Sequence, residues 1–111
     1  MKEIKAYVHS NRVAGVIAAL KSSSAWDTPS RSEHNLSVYV VKGSLAPLSD
    51  SERHYSIDLG DEVINEYKLE LHCADEHVDE LVAVIRREAH TGQVGAGWIY
   101  VIPIEQAVRA D

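Results

Sequence analysis

Apolar residues recur along this chain with two different periods. Ile4, Ala6 and Val8 alternate with Lys5 and Tyr7, which predicts a half-buried first strand. Val13, Val16, Ile17 and Leu20 then fall at i, i+3, i+4 and i+7, one stripe of a helix that Asn11 is placed to cap and Ser22-Ser23-Ser24 to end. The polar segment to Glu33, with Pro29, reads as a loop. Leu36 to Val41 is β-branched and aromatic, a second strand. Glu66 to Cys73 alternates and forms the third. Asp75 is placed to cap a second helix, striped by Val78, Leu81, Val82, Ile85 and Ala89. Trp98 to Ile102 is the fourth strand, stopped by Pro103. Between the middle strands, Gly43 to Gly60 has no sustained period and carries Pro47, Asp50, Ser51 and Glu52, which predicts a long exposed loop with little order. Asp61, Glu62 and Glu66 read as a solvated stretch beside it.

The order β-α-β-β-α-β is the split βαβ arrangement of an α+β, ferredoxin-like fold, here one domain over residues 1–111. Two helix stripes cover one face of a four-stranded sheet. The strand phases put Tyr7, Tyr39, Val41 and Tyr100 on the other, too apolar a patch to leave in water.

Composition narrows the function classes. With 17 acidic against 11 basic residues, net charge −6, the chain lacks the basic stripe that binding to nucleic acid requires. The N-terminus has no signal-peptide core, and no apolar stretch approaches a membrane span, so no direct membrane insertion is expected. The single Cys73 has no intrachain disulfide partner, which fits a reducing compartment, and the reading is cytoplasmic.

The segment Thr91-Gly92-Gln93-Val94-Gly95-Ala96-Gly97-Trp98-Ile99-Tyr100-Val101 joins the second helix to the last strand. Glycine permits positive φ and close backbone approach, so such a turn can offer its N–H groups to an anion; the same composition also serves simply to reverse a chain. The segment resembles the C-terminal signature of the PII signal-transduction family, T-G-x-x-G-D-G-[KR]-[IV]-[FY]-V. It matches at Thr91, Gly92, Gly95, Gly97, Ile99, Tyr100 and Val101, and departs at Ala96, where the family has Asp, and at Trp98, where it has a basic residue. The resemblance extends from Met1-Lys2-Glu3-Ile4 to Arg109, and its departures fall on the ligand site rather than on the fold.

The resemblance implies a homotrimer, with the apolar sheet face inside, that binds an adenine nucleotide (ADP, AMP or ATP) in clefts between subunits. It also implies that the long loop is presented to a target protein, a transporter or an enzyme, in nitrogen regulation. Carried over residue by residue, the nucleotide site comprises Gly43, Thr91, Gly92, Gly95, Gly97, Trp98 and Arg109. Trp98 stands in place of a phosphate cation; its indole offers one N–H and a π face, for stacking on a base or for filling the subunit interface. Of the two arginines the family carries near its end, one falls on Arg109 and the other on Asp111. Each missing charged hydrogen bond removes roughly 1.5–3 kcal/mol, so a nucleotide with fewer phosphates loses less. Lys42-Gly43 match the start of the family's K-G-F-G-R-Q run, but Pro47 occupies the Gln position and can offer only a carbonyl, so 2-oxoglutarate binding is not expected. Tyr55, in His54-Tyr55-Ser56-Ile57-Asp58-Leu59, falls where the family often has a modifiable tyrosine; the alternative is an anchor at the foot of a shortened loop.

Other chemistry is weakly signalled. His9, His34, His54, His72, His77 and His90 form no short metal motif, and no metal ligands are assigned. Ser22 to Ser24 lacks the turn of an activated nucleophile, and Asp75, Glu76, Asp79 and Glu80 suit a helix start, so no catalytic residues and no enzyme activity are expected. The alternatives to nucleotide sensing are a metal- or anion-responsive trimer of the cation-tolerance type and a scaffold module without a ligand.

Overall fold

In a computed structural model of the chain, residues 1–26 and 36–110 are described. The polar segment around Pro29 to Glu33, His34 and Asp111 lie outside the described residues. The elements are β1 (Lys2–Val8), α1 (Val13–Ser22), β2 (Ser37–Gly43), β3 (His54–Ser56), β4 (Asp61–Cys73), α2 (Val78–Ala89) and β5 (Trp98–Pro103), with single 3-10 turns at Asp50–Glu52 and Asp75–His77. The sheet runs β2-β4-β1-β5, every neighbouring pair antiparallel, with the short β3 beside the start of β4. Without β3 this is the expected ferredoxin-like α+β order.

The core lies where the two periods meet. Ile4, Ala6 and Val8 of β1 and Leu69, Leu71 and Cys73 of β4 point to one side of the sheet, where Val16 and Leu20 of α1 and Leu81, Val84 and Ile85 of α2 close over them. Each large side chain so buried contributes about 1.5–3 kcal/mol. The registers Tyr7↔Trp98, Lys5↔Tyr100, Tyr7↔Lys68 and Tyr39↔Lys68 put Tyr7, Tyr39, Lys68, Trp98 and Tyr100 together on the opposite face, which no helix covers. There Tyr7 meets Tyr100 edge-on at 6.1 Å, Trp98 lies nearly parallel to Tyr100 at 6.4 Å, and the Lys68 ammonium sits 4.6 Å from the Tyr39 ring centre. Glu70 anchors Lys68 at 3.1 Å and Lys5 at 3.7 Å. Its hydrogen bond to Tyr39 raises the phenol above its ordinary range.

Three local expectations need correction. Asn11 does not cap α1: Arg12 holds that position with no side-chain cap, and Asn11 instead turns to the His9 ring, its Oδ1 2.8 Å from Nδ1. Asp75 does not cap α2; its carboxylate pairs with the N-terminal amine of Met1 at 2.8 Å, and His77 precedes the helix. The third long strand begins at Asp61 rather than Glu66, because β3 supplies Asp61, Glu62 and Val63 with a hydrogen-bonding partner.

Candidate functional site

The glycine turn leaves α2 at His90 and reaches β5 at Trp98. Gly92 and Gly95 take φ of 82° and 79°, a region that side-chain-bearing residues enter only at about 1–2 kcal/mol. At Gly97 the turn runs close to β1: a Cβ there would sit 3.4 Å from the Tyr7 carbonyl oxygen, at the near edge of ordinary van der Waals contact. The turn lines one wall of a groove of about 480 Å³, which brings together Thr91, Gly92, Gly95, Gly97 and Trp98 of the expected site. The groove also takes in Arg86, which the sequence does not single out, His90, which the sequence suggests only as a candidate metal ligand, and Val82, Ala89 and Ile99 as apolar wall. Trp98 is half exposed and belongs to both settings, the rim of the groove and the aromatic face of the sheet. Gly43 and Arg109 do not line the groove; Arg109 lies in the coil beyond β5.

The segment from Gly43 to Gly60 is the expected long connection between the middle strands, and it carries a 3-10 turn, the short β3 and hydrogen bonds to distant residues. Its foot is built against the glycine turn: the Ala46 N–H donates to the Gly95 carbonyl at 2.9 Å, and Leu45 is buried. The Leu45 N–H donates to Glu66 Oε2 at 3.3 Å. Glu66, expected in solvent, is 4% exposed because Gly43, on the neighbouring strand, has no side chain to displace it. Burial pushes the Glu66 carboxyl above its ordinary value, partly offset by the Leu45 N–H.

Farther along, Ser49 and Glu52 close a reciprocal capping box around the 3-10 turn at 50–52. Glu52 Oε1 accepts from the N–H groups of Leu48 at 2.6 Å and Ser49 at 2.9 Å, while Oε2 is bonded to Nε2 of the buried His9. Burial pulls the Glu52 carboxyl up, yet the Ser49 N–H, the His9 ring and the Leu48 N–H together hold it below its ordinary value. What remains exposed is the far end, the hairpin of β3 and β4, where Ile57 is 88% and Tyr55 64% exposed. Tyr55 is therefore not a buried anchor. Among the described residues, no three His, Cys, Asp or Glu side chains converge, and no helix is long and apolar enough to cross a membrane.

Comparison with known proteins places these features in a family. The family model described as "Nitrogen regulatory protein P-II" matches residues 34–111. Nitrogen regulatory protein P-II of Cyanidium caldarium is 31% identical over 74 residues, 67% of this chain and 66% of that protein. The protein of the same name from Microchaete diplosiphon is 32% identical over the same share of each. Nitrogen regulatory protein P-II 2 of Methanothermobacter thermautotrophicus is 28% identical over 109 residues, 98% of this chain and 88% of that protein. The chain thus spans just under two thirds of the first two relatives and most of the third.

Proposed function

This chain belongs to the nitrogen regulatory protein P-II family, and on that footing we propose that it is a trimeric, cytoplasmic regulator acting by binding and not by catalysis. An adenine nucleotide occupies the Gly92–Gly97 turn at a cleft between subunits, and the 43–60 segment engages or releases a partner enzyme or transporter according to that occupancy. The observation that carries this reading is the hydrogen bond from the Ala46 N–H to the Gly95 carbonyl. A phosphate gathering the amides of the turn has to reorient the peptides around Gly95, and the carbonyl that holds the foot of the 43–60 segment belongs to that glycine. Occupancy of the turn therefore biases the segment through one shared residue, without a longer chain of contacts. The uncovered aromatic face of the sheet supports assembly, since Tyr39, Trp98 and Tyr100 form a contiguous apolar surface in a chain of this size. Pro47 offers no side-chain donor or acceptor, which keeps 2-oxoglutarate out of the proposal.

The test is calorimetric titration with ATP, ADP, AMP and cyclic AMP, followed by hydrogen exchange at the Ala46 amide with and without the ligand that binds. The expected result is binding of at least one nucleotide and a changed Ala46 exchange rate. Absence of all nucleotide binding removes the effector; binding with unchanged Ala46 exchange removes the coupling.

A further inference from the structure

The chain carries 17 acidic residues, yet among the described residues no Asp or Glu lines the groove beside the glycine turn. The basic side chains along it are Arg86 and His90, four residues apart at the end of α2 and so on one side of it. Among the described residues neither has an ion-pair or hydrogen-bond partner, whereas the adjacent Arg87 is bonded to Glu88 at 3.3 Å. Arg86 and His90 also line the neighbouring cavity of about 700 Å³, so they stand at the junction of the two spaces. The remaining wall is mostly apolar, with Val82, Val94 and Ile99 beside the polar Thr91 and Gln93, and the Trp98 indole at the rim.

We infer that Arg86 and His90 form the phosphate-facing wall of this groove, and that it takes a nucleoside monophosphate in preference to a di- or triphosphate. The inference rests on the nucleotide reading above and names the ligand class within it. A guanidinium presents a planar fork that pairs two phosphate oxygens at once, and an imidazole adds a second donor beside it. One phosphate group carries about −1.5 to −2 charge at neutral pH, within reach of two such groups and the turn's amides. Further phosphates would add charge with Trp98 standing where a cation would be needed, in a protein whose net charge is −6. The negative end of the α2 dipole also faces this region, so an anion settles there only where side-chain cations outweigh it. An apolar wall with an aromatic rim suits a flat base, and a groove of about 480 Å³ lies within the usual range for small-molecule sites.

Arg86 and Arg87 have a plain structural role as cations at a helix end, and the test separates that role from ligand binding. AMP, ADP, ATP and adenosine are titrated into the wild-type protein and into Arg86→Gln, His90→Gln and Arg87→Gln, with thermal midpoints measured alongside. AMP is expected to bind more tightly than ADP or ATP. Arg86→Gln should weaken AMP roughly ten- to hundredfold, the scale of one charged hydrogen bond, with adenosine unchanged. His90→Gln should weaken AMP in the same direction, and Arg87→Gln should leave it unchanged. Should Arg86→Gln fail to fold, Arg86→Lys keeps the charge and loses the fork, and a weakened AMP affinity is again expected. Binding of ADP or ATP as tight as or tighter than AMP, or AMP binding unaffected by the Arg86 and His90 substitutions, overturns the inference and leaves the nucleotide reading standing. A wild-type protein that binds none of the four ligands overturns both.

Discussion

Gly43→Ala is the substitution on which the architecture of the loop foot makes its sharpest statement. Gly43 is paired with Ile64, and its φ is not positive, so its backbone suits any residue. In such a place Gly→Ala ordinarily stabilises by about 0.4–1 kcal/mol, through the unfolded chain. Here the new Cβ would fall far inside 3.0 Å of three Glu66 atoms, the two carboxylate oxygens and their carbon. Glu66 has little room to retreat, being buried and bonded to the Leu45 N–H. Overpacking of this kind costs about 1–3 kcal/mol, and a displaced Glu66 also leaves the Leu45 N–H without its acceptor. In a Glu66→Ala background the obstacle is gone, and the same Gly43→Ala change should be neutral or stabilising by up to about 1 kcal/mol. The four proteins form a double-mutant cycle, read from urea midpoints at one fixed protein concentration because the proposed assembly would make stability depend on concentration. If Gly43→Ala shifts stability equally in both backgrounds, within about 0.5 kcal/mol, the glycine is not there to house the carboxyl group and the reasoning fails.

Other consequences can be checked alongside. Limited chymotrypsin digestion should cut first at the exposed hairpin end, after Tyr55 or Leu59, with residues 44–53 protected; His9→Ala should expose Arg53 to trypsin roughly tenfold faster, because losing a charged hydrogen bond costs about 1.5–3 kcal/mol of local closure. Equal rates in wild type and variant would show that His9 does not hold the turn. Because the folded protein raises the Glu66 carboxyl, it binds that proton more tightly than the unfolded chain does; this contribution to stability falls as pH rises from the ordinary carboxylate value through the raised one. Glu66→Gln should flatten that fall in pH-dependent thermal unfolding, and an unchanged slope would count against it. Tyr100→Glu places a charge in the aromatic face and should dissociate the proposed trimer in sedimentation equilibrium; a wild-type monomer at micromolar concentration removes the assembly proposal altogether.

The parts of this fold that could be read from sequence are those whose cause is local. The i, i+3, i+4 stripes of α1 and α2 and the alternation in β1 and β4 each signal burial within a single segment, and together they yield the order of the sheet. The contacts within the 43–60 segment are not legible in the sequence, because they are made to distant partners. Glu52 is held by His9, 43 residues away, Leu45 by Glu66, and Ala46 by Gly95, and none of these pairings leaves a periodic trace. The Asn11 cap failed for a related reason, since a nearby histidine competed for the same side chain. Glu66 had one usable signal, the glycine at position 43, whose value depends on knowing that β2 and β4 are neighbours. The three glycines of the turn were visible at once, but Arg86 and His90 were not, because on an amphipathic helix a cation beside a cavity looks the same as one in solvent.

The 13-residue β4 extends past the main sheet, and with β3 it forms a hydrogen-bonded arm beyond the last β2 pairing at Ile64. A binding partner that meets this arm finds it already folded. Fixing the backbone of a disordered segment costs about 1–2 kcal/mol per residue, and that entropy is lost here during folding of the chain, not at the moment of recognition. Affinity can then come from a small contact area, carried by exposed side chains such as Tyr55, Ile57 and Leu59. The same stiffness would narrow the choice of partners for the proposed regulator: such an arm would select surfaces that match its shape, where a flexible loop of equal length would mould itself to many.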